Sequence, residues 1–155
     1  MTKEEILAMQ PGRELDTLVA EKVMGHPKPA FIPENALDLY LAGTPLHYDS
    51  WTCVCRYDEG DTPKWIPDPY SSDIAAAWRV VERVCTWDIH DNMLILKGQA
   101  PDLKPEDEEG KVGWWEAEIN GDWGKALAKG KTAPEAICKA ALIAWEDYYA
   151  KTKDD

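Results

Sequence analysis

Gly113-Trp114-Trp115-Glu116-Ala117-Glu118-Ile119-Asn120-Gly121-Asp122-Trp123-Gly124-Lys125-Ala126-Leu127-Ala128 is the stretch that decides the fold. Two runs of alternating character flank Asn120-Gly121, a dipeptide suited to the positive φ angles of a type I′ hairpin turn. Counting outward from that turn pairs Ile119 with Asp122, Glu118 with Trp123, Ala117 with Gly124 and Glu116 with Lys125. Trp115 then faces Ala126, and Trp114 faces Leu127. Side chains alternate along a strand, so one face collects Trp115, Ala117, Ile119, Gly124 and Ala126. Those small residues suit close packing of a helix. The opposite face is a polar surface framed by Trp114 and Trp123.

The chain supplies the helix at once. Thr132-Ala133-Pro134-Glu135 combines a capping box with an early proline, and Ala136, Ile137, Ala140, Ala141, Ala144, Trp145, Tyr148 and Tyr149 follow at helical period. Upstream, Tyr70-Ser71-Ser72-Asp73 offers hydroxyl caps to a helix whose apolar face reads Ile74, Ala77, Trp78, Val81, Val84 and Cys85. Between the two helices lie a short strand at Met93 to Leu96 and an acidic loop at 101–111. Near the start, Thr2 and Glu5 have capping-box spacing, and a helix past Pro11 carries Leu15, Leu18, Val19 and Val23 on one face as far as Gly25. The proline-interrupted span 26–69 reads as a long irregular connection holding a short helix at Ala36 to Leu41 and a strand at Trp51 to Tyr57. These elements predict one α+β domain over residues 1–155: a small, mostly antiparallel sheet packed with helices as an α/β sandwich.

Composition narrows the function. The 155 residues hold 17 Lys plus Arg against 29 Asp plus Glu, a formal charge of -12, which disfavours attraction to nucleic acid or an anionic membrane. No apolar run approaches the roughly 20 residues of a membrane span, and the opening MTKEEILAMQ lacks the marks of a signal peptide, so a cytosolic location is expected. Eight Trp and six Tyr accompany a single Phe, which suggests that some indoles face something other than core.

Catalytic signatures are missing. The sequence contains no nucleophile elbow, phosphate-binding glycine loop or paired-histidine motif, and an exposed turn accounts for the Asp88, His90 and Asp91 cluster. A zinc site assembled from His47, Cys53, Cys55 and either Cys85 or His90 lacks a second paired ligand motif. Strand alternation instead makes Cys53 and Cys55 small buried neighbours. No metal, cofactor or catalytic set is assigned.

Small-ligand binding has more support. Ser71, Ser72 and Thr132 mark helix starts where free N–H groups and the helix dipole receive anions. Trp65, Tyr70, Trp114 and Trp123 offer rings on which a base stacks, and base stacking is worth roughly 1–3 kcal/mol. Arg56 and Lys125 offer charge to a phosphate, although Lys125 also stands opposite Glu116, and Asp73 completes the helix start. Trp78, Trp115 and Trp145 fall on packing faces, whereas Trp51 and Trp87 are ambiguous. The rival reading is an acidic protein-interaction module that imitates DNA or inhibits a host protein.

The segments MTKEEILAMQPGRELDTLVAEKVMG, PYSSDIAAAWRVVERV and TAPEAICKAALIAW together resemble small bacteriophage proteins of the phage ABA-sandwich type. That resemblance implies an α/β sandwich from a phage or prophage. The chain is also similar in kind to compact phage anti-defence proteins that sequester nucleotide signals, such as the cyclic ADP-ribose-like molecules of the Thoeris system or cyclic dinucleotides. It then implies a non-enzymatic protein that holds a nucleotide-like small molecule, as a homo-oligomer whose interface helps enclose the ligand.

Overall fold

A computed structural model describes residues 1–44, 46–54, 63–87, 93–99 and 114–153. Helices α1 (Lys3–Ala8) and α2 (Arg13–Leu18) open the chain, and α2 runs directly into a π-helical segment, Val19–Val23. Helix α3 (Ala36–Leu41) precedes strands β1 (Leu46–Tyr48), β2 (Trp51–Val54) and β3 (Lys64–Pro67). After α4 (Ile74–Val84) come β4 (Met93–Gln99), β5 (Trp114–Gly121), β6 (Gly124–Gly130) and α5 (Ala133–Lys153). The strands form two antiparallel three-stranded sheets, ordered β1-β2-β3 and β4-β5-β6. The fold is therefore α+β, as the sequence predicts, with two sheets in place of one. Among the described residues, no helix is long and apolar enough to cross a membrane.

Helix α5 is the centre of the molecule. It packs on β5 and β6 and also meets α1, α2, the π-helical segment and α4. Its residues from Ala133 to Ala144 are all buried, so this stretch has no solvent face. Even its charges are internal: Lys139 donates to Glu135 Oε1 at 2.7 Å and to the Leu7 carbonyl at 3.1 Å, tying α1 to α5.

The hairpin register differs from the one counted from Asn120-Gly121. Gly121 faces Gly124, Asn120 faces Lys125, Ile119 faces Ala126, Ala117 faces Ala128 and Trp115 faces Gly130, which puts the turn at Asp122-Trp123. Each β5 residue thus meets a partner four places further along than expected. A shift of four preserves side-chain parity, so the sheet still presents its small-residue face to α5. The displaced register sets Ala126 and Ala128 beside Ile119 and Ala117, all four buried, and tucks the Trp123 indole into the core. Gly124, at φ +136, takes the backbone conformation that follows the turn.

Helix α4 is also rotated from its predicted face. Ala76, Ala77, Val80, Val81 and Val84 are buried, whereas Ile74 and Trp78 are more than half exposed and Cys85 is exposed. Alanine and valine let α4 approach the alanines of α5 closely, which an indole at Trp78 would prevent.

The span 26–69 is more regular than its prolines suggest. The β1-β2-β3 sheet lies within it, and two indoles fasten its extended part. Trp51 Nε1 donates to the His26 carbonyl at 2.8 Å, and Trp65 Nε1 donates to the Phe31 carbonyl at 3.1 Å. Proline removes backbone donors from this segment, but its carbonyls remain available as acceptors.

Candidate functional site

The residues expected to receive phosphate are already engaged. Ser71 is fully buried: its Oγ accepts from the Gly12 N–H at 2.9 Å, and its N–H donates to Asp16 Oδ1 at 2.6 Å. Burial pushes the Asp16 carboxyl upward, and its bonds from the Ser71 backbone and hydroxyl oppose that shift. The cap of α4 is Asp73, which accepts from the Ala76 N–H at 2.9 Å, while Ser72 is exposed. At α5, Thr132 accepts from the Glu135 N–H at 3.3 Å, and the Glu135 carboxylate accepts from the Lys131 N–H at 2.8 Å. A carboxylate therefore occupies each helix start, where an incoming phosphate would be repelled.

The candidate rings are also committed elsewhere. Trp65 and Trp123 are each 5% exposed, so neither is a surface platform. Tyr70 is fully buried. Burial pushes that phenol up to about 12, only partly offset by the Ser50 hydroxyl. On the outer face of the β5-β6 hairpin, Lys129 lies 4.9 Å over the Trp114 ring and pairs with Glu116 at 3.7 Å. Lys125 pairs with Glu118 at 2.8 Å instead of Glu116, because the register moved. Lys125 and Asn120 together hold the Glu118 carboxyl below its ordinary range. Arg56 lies outside the described residues, as do Cys55, Asp88, His90, Asp91 and the acidic loop. Among the described residues, no group of three or more His, Cys, Asp or Glu is placed to hold a metal.

A different set of residues converges. Where the π-helical segment, the end of α4 and the second half of α5 meet, a cavity of ≈ 330 Å³ is lined by Glu21, Lys22, Val23, Gly25, Arg83, Trp87, Trp145, Tyr148 and Tyr149. The π geometry is explicit in Met24 N–H donating to the Val19 carbonyl at 2.9 Å, and Gly25 at φ +72 ends the segment. Such widened turns recur at functional sites because they re-aim side chains out of helical sequence. On α5, positions 145, 148 and 149 fall on one side of the helix at spacings of three and four.

The rings form two stacked pairs. Trp145 and Tyr149 have centroids 4.6 Å apart at 25°, and Trp87 and Tyr148 are 6.0 Å apart at 26°. Lys22 Nζ sits 4.9 Å over the Trp145 ring and 2.7 Å from Glu146 Oε1. The Arg83 guanidinium lies against Gly25, where an added Cβ would stand 3.6 Å from Nη2. Among the described residues, no carboxylate is within ion-pair distance of Arg83. The cavity thus combines π faces, one guanidinium with no ion-pair partner among the described residues and one ammonium held by a neighbouring acid.

None of the ten residues singled out from the sequence lines this cradle. Trp145, Tyr148 and Tyr149 read as a continuation of the packing face of α5, although Glu146 and Asp147 interrupt them and mark where that face meets solvent. Trp65 lines a second, apolar groove of ≈ 300 Å³ together with Pro29, Ala30, Phe31, Pro33, Leu46, His47 and Tyr48. Phe31 stands 77% exposed there.

With this arrangement in view, the relatives of the chain are informative about its origin. Residues 17–142 match the family described as the Phage ABA sandwich domain. The chain belongs to that family. This phage ABA sandwich protein is therefore of phage or prophage origin, as its three sequence blocks suggest. It is also similar to a phage protein from Bacillus cereus known from a 2.0 Å crystal structure, at 26% identity over 90% of each chain and a TM-score of 0.45. No curated protein matches it.

Proposed function

We propose that this phage protein binds a nucleotide-derived small molecule in the aromatic cradle and holds it without turning it over. The ligand class is that of host immune signals, such as cyclic ADP-ribose-like molecules or cyclic dinucleotides, and sequestering one in the bacterial cytosol would blunt antiviral defence. The observation that carries this reading is the placing of two ring stacks and the Arg83 guanidinium, which has no ion-pair partner among the described residues, around one ≈ 330 Å³ cavity. Indole and phenol faces stack any base, and a guanidinium recognises a phosphate by paired hydrogen bonds. The volume falls at the lower end of small-molecule sites, enough for about one nucleotide unit. A homo-oligomer remains part of the proposal, with neighbouring copies helping to close the cavity.

The test is binding followed by recovery. Purified protein is incubated with cyclic ADP-ribose or a cyclic dinucleotide, and binding is read by quenching of tryptophan fluorescence. Heating to denature the protein should then release intact ligand, whereas a cleaved product would make the protein a hydrolase. Trp145→Ala should weaken binding about 5- to 160-fold, the range set by loss of one stacked base. If no nucleotide quenches fluorescence or raises the melting temperature, the reading fails.

A second reading rests on the exposed Phe31 beside the apolar groove: a protein-interaction surface acting without a small ligand. Exposed apolar surface of that kind is common at protein interfaces. It predicts a specific host partner whose binding is lost in Phe31→Ser, with nucleotide binding unaffected.

A further inference from the structure

We infer that the segment Lys28-Pro29-Ala30-Phe31-Ile32-Pro33-Glu34 is a self-association surface, which takes a second copy of this chain through a twofold contact centred on Phe31. The segment is symmetric in character about that phenylalanine. Prolines stand two places to either side, apolar Ala30 and Ile32 adjoin it, and a cation three places before it answers an acid three places after. A twofold axis at Phe31 therefore sets Lys28 of each copy opposite Glu34 of the other, Pro29 opposite Pro33 and Ala30 opposite Ile32. An isologous contact demands this self-complementarity, whereas a surface for an unrelated protein has no need of it.

The structure displays the segment for such a contact. Residues 25–33 belong to no helix or strand, and prolines at 29 and 33 keep the neighbouring backbone extended. The indoles of Trp51 and Trp65 hold it in place through the His26 and Phe31 carbonyls, so little ordering is left to be done on association. Lys28 and Glu34 are both exposed, and neither has an ion pair among the described residues. Phe31, 77% exposed, lies beside the ≈ 300 Å³ groove, so each copy offers both a ring to insert and a groove to receive one. None of the residues lining that groove is Asp, Glu, Lys or Arg. Two chains of net charge -12 repel one another over most of their surfaces, and they approach at least cost where charge is absent. Because the prolines lack backbone N–H groups, a continuous strand ladder between the copies is excluded, which leaves ring insertion and the two outer ion pairs as the contact. This contact gives the homo-oligomer of the proposed function an interface, needs no nucleotide, and puts a second copy where the second reading puts a host protein.

Sedimentation velocity of the full chain from about 1 to about 500 µM, at about 0.15 M salt, tests this directly, since a contact of this size places the dimer Kd in the micromolar range. Wild type should dimerise, and Phe31→Ser should weaken the dimer by about 30-fold or more, as loss of a central anchor does. Lys28→Glu and Glu34→Lys should each weaken it about 10-fold, because each sets like charges face to face at both ends of the contact. An equimolar mixture of these two variants should form a heterodimer within about 3-fold of the wild-type Kd, since every facing pair is again of opposite sign. Net charge alone predicts a different pattern, with Lys28→Glu weakening association and Glu34→Lys strengthening it. That pattern overturns the inference. So does a mixture that fails to recombine while circular dichroism shows both variants folded, or a dimer that persists in Phe31→Ser. A wild type that stays monomeric throughout also overturns it and leaves the Phe31 surface to a host protein. Tryptophan quenching by a cyclic dinucleotide on the same samples separates the two readings: its absence from a dimeric wild type counts against nucleotide binding alone.

Discussion

At the scale of single residues, the tryptophans and the buried acid show how physical context reassigns a side chain. Trp65 suits a ligand wall by type, yet its indole N–H serves the Phe31 carbonyl and its ring is buried. Asp16 is the clearest case of a charge retained in the core: 5% exposed, it accepts from Ser71 and so joins α2 to the segment leading into α4. Because burial raises the Asp16 pKa above its ordinary 3.8, the folded state holds this proton more tightly than the unfolded chain. The associated stability is fully present below the unfolded value and is lost as pH rises through the folded one. Asp16→Asn keeps an oxygen acceptor for Ser71 but cannot ionise. Urea unfolding of both proteins from pH 3.5 to 7.5 should therefore show the variant gaining on wild type as pH rises. A constant difference, or one that shrinks, would contradict this origin for the shift.

At the scale of elements, two glycines separate soft crowding from hard. A Cβ at Gly98 would lie 2.7 Å from the Trp115 ring, which covers this cross-strand partner and is itself 38% exposed. The ring can swing outward, so Gly98→Ala should cost no more than about 1 kcal/mol. At Gly130 a Cβ would meet the Ala136 backbone nitrogen and the Glu135 side chain, each at 2.9 Å, inside the tight passage from β6 to α5. Backbone does not give way easily, and Gly130→Ala should cost about 2–3 kcal/mol in chemical denaturation. Equal costs would show that the β6-α5 junction is looser than its contacts indicate. How far the elements were legible in the sequence follows the same logic. The helix of Ala136 to Ala144 was readable because period and cap agree, and the hairpin because both of its strands alternate. The turn position was not: Asn120-Gly121 is a strong local signal, but burial of Trp123 and the alignment of alanines under α5 outweigh it. The face of α4 was ambiguous because Ala75, Ala76 and Ala77 leave several faces equally apolar, and only the approach to α5 chooses among them. The cradle was hidden for a related reason. Its residues come from three distant parts of the chain, and its aromatic members continue a pattern that normally means core.

At the scale of the whole molecule, the charge of -12 and the buried helix α5 act against each other. The core is continuous, from Ile6 and Leu15 through the faces of both sheets to α5, and it must hold together a chain with 29 acids against 17 bases. Ion pairs relieve little of the excess, because those on the outer face of β5 and β6 hold their lysines in solvent and are each of low value. Self-repulsion among the surplus carboxylates is therefore a destabilising contribution that salt can screen, with the Debye length falling from about 14 Å at 0.05 M to about 4 Å at 0.5 M. Raising sodium chloride across that range at pH 7.5 should raise the melting temperature by about 2–4 °C, the equivalent of roughly 1 kcal/mol in a chain of this size. The buried Lys139–Glu135 pair, with both side chains under 10% exposed, is insulated from salt and should not reverse that trend. A melting temperature that falls with salt would mean that specific surface pairs outweigh net repulsion. The pairs on β5 and β6 would then contribute more than their exposed lysines imply.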